Sequence, residues 1–120
     1  GKENLDQIIN WVSENIESSK VDLIWFQSNS EGEIIDKLHW AINNNIKGVI
    51  INPGAYTHYS YAIRDAISSI EIPTIEVHLS NIDRRENFRK ISVIEDVCKK
   101  QIKGKGKEGY LEAVNLFLKS

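Results

Sequence analysis

The chain has 120 residues, 41% of them hydrophobic and 27% charged, with a formal net charge of −2. That is apolar content for the core of one domain, and the near-neutral balance makes no electrostatic case for nucleic acid as a partner. No apolar run approaches the ~18 residues that span a bilayer, and the single cysteine, Cys98, excludes an internal disulfide framework or a multi-cysteine zinc site and fits a reducing, cytoplasmic setting.

Leu5, Ile8, Ile9, Val12 and Ile16 recur at helical spacing, with Asn4 and Gln7 as cap and reciprocal partner, which predicts a helix over residues 4–18. Val21-Asp22-Leu23-Ile24-Trp25-Phe26 reads as a short buried strand, β-branched and aromatic. Ser30 and Glu33 stand at capping-box spacing, and Ile34, Ile35, Leu38, Ala41 and Ile42 make one apolar stripe, so a second helix is expected over residues 31–43. Gly48-Val49-Ile50-Ile51 is a second strand, stopped by Asn52-Pro53-Gly54-Ala55. Ala62, Ile63, Ala66 and Ile67 mark a third helix over residues 59–69, and Pro73 opens a strand, Thr74-Ile75-Glu76-Val77-His78. The polar stretch from Asn81 to Lys90 predicts a loop with a helical turn. A short strand is expected near Gln101-Ile102, and Tyr110, Leu111, Val114, Phe117 and Leu118 define a last helix after the Gly104-Lys105-Gly106 loop.

Strands alternating with helices over short connections imply parallel βαβ units with helices on both sheet faces. Such a domain normally opens on a strand, whereas the first element read in this sequence is a helix. No Met occurs and the first residue is Gly1. The expectation is one α/β domain whose first strand lies upstream of this sequence; no leader sequence is expected from what is present.

Ligands of an open parallel sheet bind beyond the carboxyl ends of the strands. Gln27 to Gly32, Asn52 to His58, and His78 to Asn81 fall there. Histidine exchanges protons near neutral pH, and Glu76, two residues before His78, points to the same side of the strand and can fix the imidazole tautomer. A strand-end histidine satisfied by a neighbouring carboxylate has the same pattern. Asn52 offers an amide to a hydroxyl or carbonyl, and Pro53-Gly54 allows a sharp turn beside a ligand; a plain β-to-α turn reads identically. His58 is placed either to bind substrate or to cap the next helix. Leu79 and Ser80 offer backbone N–H groups and a hydroxyl suited to a carboxylate. Arg85 and Arg89 would share a helical face, toward an anionic or hydroxylated ligand or toward water, and Asp65 pairs with an arginine or faces solvent. His39, His58 and His78 show no metal-ligand spacing, so no metal is expected, and no Gly-x-Ser-x-Gly elbow or nucleotide-binding glycine pattern occurs.

These segments resemble the type II 3-dehydroquinate dehydratases. Gln27-Ser28-Asn29 with Glu31-Gly32-Glu33 is similar to that family's Gln-Ser-Asn-x-Glu-Gly-Glu segment, and Asn52-Pro53-Gly54-Ala55-Tyr56-Thr57-His58 to its Asn-Pro-Gly-Ala-x-x-His motif. Arg64-Asp65-Ala66, then Glu76-Val77-His78-Leu79-Ser80-Asn81 with Arg85, Glu86, Phe88 and Arg89, and the glycine loop up to Tyr110 follow in family order. The resemblance implies a flavodoxin-like three-layer α/β fold with a parallel sheet of order 2-1-3-4-5. It implies dehydration of 3-dehydroquinate to 3-dehydroshikimate through an enolate, without a cofactor, and assembly as trimers grouped into a dodecamer. By resemblance His78 is the general acid, Glu76 orients it, and Asn52, with Gly54 and Ala55 in its loop, holds the C1 hydroxyl end. Leu79 and Ser80 bind the carboxylate, His58 and Arg89 the ring hydroxyls, Arg85 belongs to the lid, and Asp65 reaches a neighbouring subunit. The family's base tyrosine sits in a lid after its first strand, and Gly1 matches the glycine that follows it. Tyr56, Tyr59, Tyr61 and Tyr110 occupy other positions. The expectation is therefore a sequence with the acid half of the site and much of its binding surface, the base lying upstream. The alternative is a non-catalytic binding or assembly module on the same fold.

Overall fold

A computed structural model describes residues 3–17, 21–82 and 86–119, with the side chain of Arg89 left out. Helix α1 covers Leu5–Asn15. Asn4 Oδ1 accepts from the Gln7 amide at 2.9 Å and the Gln7 side chain accepts from the Asn4 amide at 3.0 Å, so the reciprocal cap forms as the spacing predicts. Helix α2 covers Glu31–Ile42. Only half of its expected box forms: Ser30 Oγ accepts from the Glu33 amide at 3.2 Å, but the Ser30 amide donates to Ser28 Oγ at 3.0 Å and the Glu33 carboxylate takes the Ser28 hydroxyl instead.

Strand β1 is Val49–Ile51, a short 3-10 helix runs over Gly54–His58, and α3 covers Tyr61–Ile70. Strand β2 is Thr74–His78, α4 is the single turn Asn87–Lys90, a 3-10 turn covers Glu95–Val97, β3 is Lys100–Lys103, and α5 is Glu108–Leu118. The three strands lie side by side in chain order, all parallel. Ile51 faces Glu76, which faces Gln101; Val77 faces Ile102.

Because side chains alternate along a strand, this register sorts the residues into two faces. Ile75, Val77 and Ile102 pack with Ala113 of α5, and Ile8 and Val12 of α1 pack with Val114 on the same side. Ile51 packs with Leu38 of α2, Ile63, Ala66, Ile67 and Ile70 of α3, and Ile94 on the other. The result is the three-layer flavodoxin-like α/β arrangement expected from the alternation of elements. No helix among the described residues is long and apolar enough to cross a membrane.

One element departs from expectation. Residues 21–26 are not a strand. They alternate between half-buried and exposed positions, with Leu23 and Trp25 against the α1–α5 layer and Ile24 and Phe26 exposed. Their composition is that of a strand, but a ladder needs a neighbour to exchange hydrogen bonds with. Among the described residues none runs alongside them.

The close approach of α5 to the sheet depends on Gly109. A Cβ there would stand 3.1 Å from Val77 Cγ1 and 3.4 Å from Ile102 Cγ2. Gly109→Val should push the helix off the sheet and cost about 1–3 kcal/mol of stability, read as a lower urea midpoint at unchanged slope.

Candidate active site

The carboxyl ends of β1 and β2 deliver the residues that the motifs single out. Asn52 follows β1 directly and is exposed. Its Oδ1 accepts from the Gly54 amide at 3.2 Å, the Asx-turn contact that closes the Pro-Gly corner, and its Nδ2 donates to Tyr110 Oη at 3.1 Å. Gly54 sits at φ 62°, a left-handed conformation that suits glycine. Ala55 follows it in the first turn of the 3-10 helix and is exposed. Tyr56 Oη donates to the Asn29 carbonyl at 2.9 Å, joining this loop to the Gln27-Ser28-Asn29 segment.

His78 ends β2 and is 5% exposed; Glu76, on the same face, is 0% exposed. His78 Nε2–H donates to Glu76 Oε2. The same oxygen accepts from Ser92 Oγ at 2.8 Å and from Gln101 Nε2 at 3.1 Å. Glu76 Oε1 is buried with no hydrogen-bond partner among the described residues. A carboxylate this far from water depends on such donors. The register explains Gln101, which lies directly across from Glu76 on β3. Ser92 is brought in by tertiary ties: the Val93 amide donates to the Thr57 carbonyl at 2.9 Å, and Arg64 Nη1 donates to the Val93 carbonyl at 2.9 Å. Arg64 also forks onto Asp96, with Nη2 3.1 Å from Oδ2. That hydrogen bond holds the Asp96 carboxyl below its ordinary range.

Asn52 and His78 leave adjacent strand ends toward different layers. Asn52 is tied to Tyr110 of α5, on the Val77 face, while His78 is tied to Glu76, on the face shared with Ile51 and Gln101. No described hydrogen bond joins the two. The imidazole, 5% exposed, is also more enclosed than a rim position suggests.

His58 ends the 3-10 helix, half-buried, and its Nδ1–H donates to the Ile91 carbonyl at 2.8 Å. It does not cap α3; Ser60 does, its Oγ accepting from the Ile63 amide at 3.0 Å. Leu79 and Ser80 form the bend after β2, with the Leu79 carbonyl accepting from the Gly106 amide at 2.9 Å and the His78 carbonyl from the Gly104 amide at 3.3 Å. The closing glycine loop thus folds against the end of the His78 strand. Asp65 is exposed on α3, and the arginine beside it, Arg64, is paired with Asp96 instead. Arg85 lies outside the described residues, as does the side chain of Arg89. Sequence reading missed Ser92, Gln101 and Tyr110 as partners of Glu76 and Asn52. None carried a signal of its own: in β3, Lys100-Gln101-Ile102-Lys103, Gln101 is one polar residue among three.

Cys98 lies near this cluster. Burial, and after it the Glu76 carboxylate, pushes its thiol up to about 12. It should therefore resist alkylation at neutral pH in the folded protein and react readily once urea unfolds it, as mass spectrometry of iodoacetamide-treated samples will show. Among the described residues no group of three or more His, Cys, Asp or Glu is placed to hold a metal ion.

Fold and site together define an open parallel α/β enzyme whose polar residues gather past the carboxyl ends of its strands. Residues 1–118 match the family described as Dehydroquinase class II, and the chain belongs to that family of hydro-lyases. A 3-dehydroquinate dehydratase of Caldicellulosiruptor saccharolyticus is 53% identical over 114 residues, covering 95% of this chain and 79% of the relative. A 3-dehydroquinate dehydratase of Lachnoclostridium phytofermentans is 49% identical, covering 98% and 81%. The crystal structure of a type II dehydroquinase from Butyrivibrio crossotus superposes with a TM-score of 0.93 at 50% identity, covering 98% of this chain and 82% of that one.

Proposed function

We propose that this chain takes part in the dehydration of 3-dehydroquinate to 3-dehydroshikimate through an enolate. A base removes the C2 proton beside the ketone. His78 then protonates the C1 hydroxyl, which leaves as water as the C1–C2 double bond forms. The observation that carries this reading is the buried His78–Glu76 pair at the carboxyl end of β2, in a chain whose relatives are named for this reaction. With Nε2–H engaged by Glu76, the nitrogen left to serve the substrate is Nδ1, and the acid form is therefore the imidazolium, which carries a second proton on Nδ1 and returns to the Nε2–H form once that proton has gone to the leaving hydroxyl. The reaction so written needs no cofactor.

Asn52, held at both ends of its amide, presents a defined donor and acceptor to the C1 hydroxyl region, with Gly54 and Ala55 forming the adjoining wall. Leu79 and Ser80 take the substrate carboxylate, and His58 and Arg89 the ring hydroxyls. Asp65, exposed on α3, is free to reach a neighbouring subunit in a trimer-based dodecamer. None of Tyr56, Tyr59, Tyr61 and Tyr110 matches the family's base, so the proposal assigns the acid and the binding residues and leaves the base outside these four.

The test is incubation with 3-dehydroquinate, following the ultraviolet absorption of the newly conjugated double bond. Turnover supports the proposal; tight binding without turnover favours a non-catalytic binding module. Arg89→Ala is expected to raise KM roughly tenfold or more, the worth of a lost charge-assisted hydrogen bond, with kcat less affected. An unchanged KM would remove Arg89 from the binding site.

A further inference from the structure

We propose that Ser92 and Gln101 are positioning residues that hold Glu76 against His78 and thereby fix the tautomer and orientation of the imidazole. The inference rests on the acid role assigned to His78 and deepens it.

Three donors converge on one oxygen of Glu76: the His78 ring, the Ser92 hydroxyl at 2.8 Å and the Gln101 amide at 3.1 Å. The other oxygen is buried with no hydrogen-bond partner among the described residues. Among the described residues, the hydrogen bonds that orient the carboxylate thus all lie at Oε2. Two of the three donors there carry no proton for chemistry, since a serine hydroxyl and a glutamine amide stay neutral. They come from separate elements. Gln101 is fixed by its register across from Glu76 on β3, and Ser92 by a segment tied to Thr57 and Arg64. Ser92 Oγ also accepts from the Ile94 amide at 3.3 Å, which aims its own proton at Glu76. A buried polar network specifies one arrangement to the extent that its members are hydrogen-bonded, and here the three donors at Oε2 supply that restraint. The outcome for His78 is a proton kept on Nε2 and a ring held so that Nδ1 is the nitrogen offered outward.

Nitrogen-15 spectra of imidazole-labelled protein read the tautomer directly and need no turnover. In the unmodified chain, neutral His78 should be the Nε2–H form alone. Ser92→Ala with Gln101→Met should give a mixture of tautomers, and each single variant a smaller admixture. In parallel, kcat for 3-dehydroquinate should fall about tenfold in the double variant with KM little changed, and Ser92→Thr, which keeps the hydroxyl, should restore most of what Ser92→Ala loses. A pure Nε2–H tautomer in every variant overturns the proposal, as does an Nδ1–H tautomer in the unmodified chain. If the double variant does not fold, the single variants decide by the same spectra. Absence of turnover in the unmodified chain would sink the dehydratase reading while leaving the spectra to judge the positioning.

Discussion

His78→Ala is expected to lower kcat by about a hundred- to ten-thousand-fold, the span that a positioned general acid contributes, while substrate binding stays largely intact. The split follows from the geometry. His78 is 5% exposed and its Nε2 is committed to Glu76, so the ring is built to present one nitrogen to one group. Removing it takes away a proton that matters only as the C1 hydroxyl departs, and an interaction made only in the transition state lowers kcat without raising KM. Steady-state kinetics, with substrate affinity measured separately by calorimetry, check both halves. A variant with normal kcat would strip His78 of its role, and one with normal kcat but a large KM would make it a binding residue.

Glu76→Leu should be the most damaging single substitution to the fold. The side chain is 0% exposed and accepts from three donors. An apolar replacement of similar bulk fills the space but leaves the buried His78 ring and the half-buried Ser92 and Gln101 without that acceptor. Breaking a buried polar network from one side costs about 3–5 kcal/mol, because each stranded donor keeps its desolvation cost. Equilibrium unfolding in urea should show that loss, together with loss of turnover. A loss below 1 kcal/mol or so, within the scatter of ordinary surface substitutions, would mean that the network is not built as described. Removing all partners at once, in Glu76→Leu with Ser92→Ala and Gln101→Leu, should recover part of the stability and none of the activity.

The helices and the three sheet strands could be read from periodicity because their signals are local. Val12 and Ile63 are fully buried at positions that helical spacing marks as inward, and β2 has the bounds that Pro73 and the apolar run suggest. Residues 21–26 show where a local signal stops: Leu23 and Trp25 pack inward as a strand would have them, but strand status needs a hydrogen-bonded neighbour that local composition cannot supply. The site divides the same way. Glu76 and His78 are two residues apart, so their shared face follows from strand geometry alone. Ser92 and Gln101 reach the same carboxylate from 16 and 25 residues away, and only the docking of β3 and of the segment after α4 brings them there. Tyr110 meets Asn52 across 58 residues for the same reason. The 3-10 helix over Gly54–His58 was hidden because a Pro-Gly corner reads as a simple turn, yet it is what sends His58 toward Ile91 and leaves the capping of α3 to Ser60.

The decisive measurement compares the unmodified protein with His78→Ala on two substrates: 3-dehydroquinate, and an analogue whose C1 substituent leaves as a stable anion without taking a proton. If His78 supplies the proton for C1–O cleavage, the variant should be crippled on the first and close to the unmodified protein on the second. An equal deficit on both would show that the imidazole serves some purpose other than protonating the leaving group.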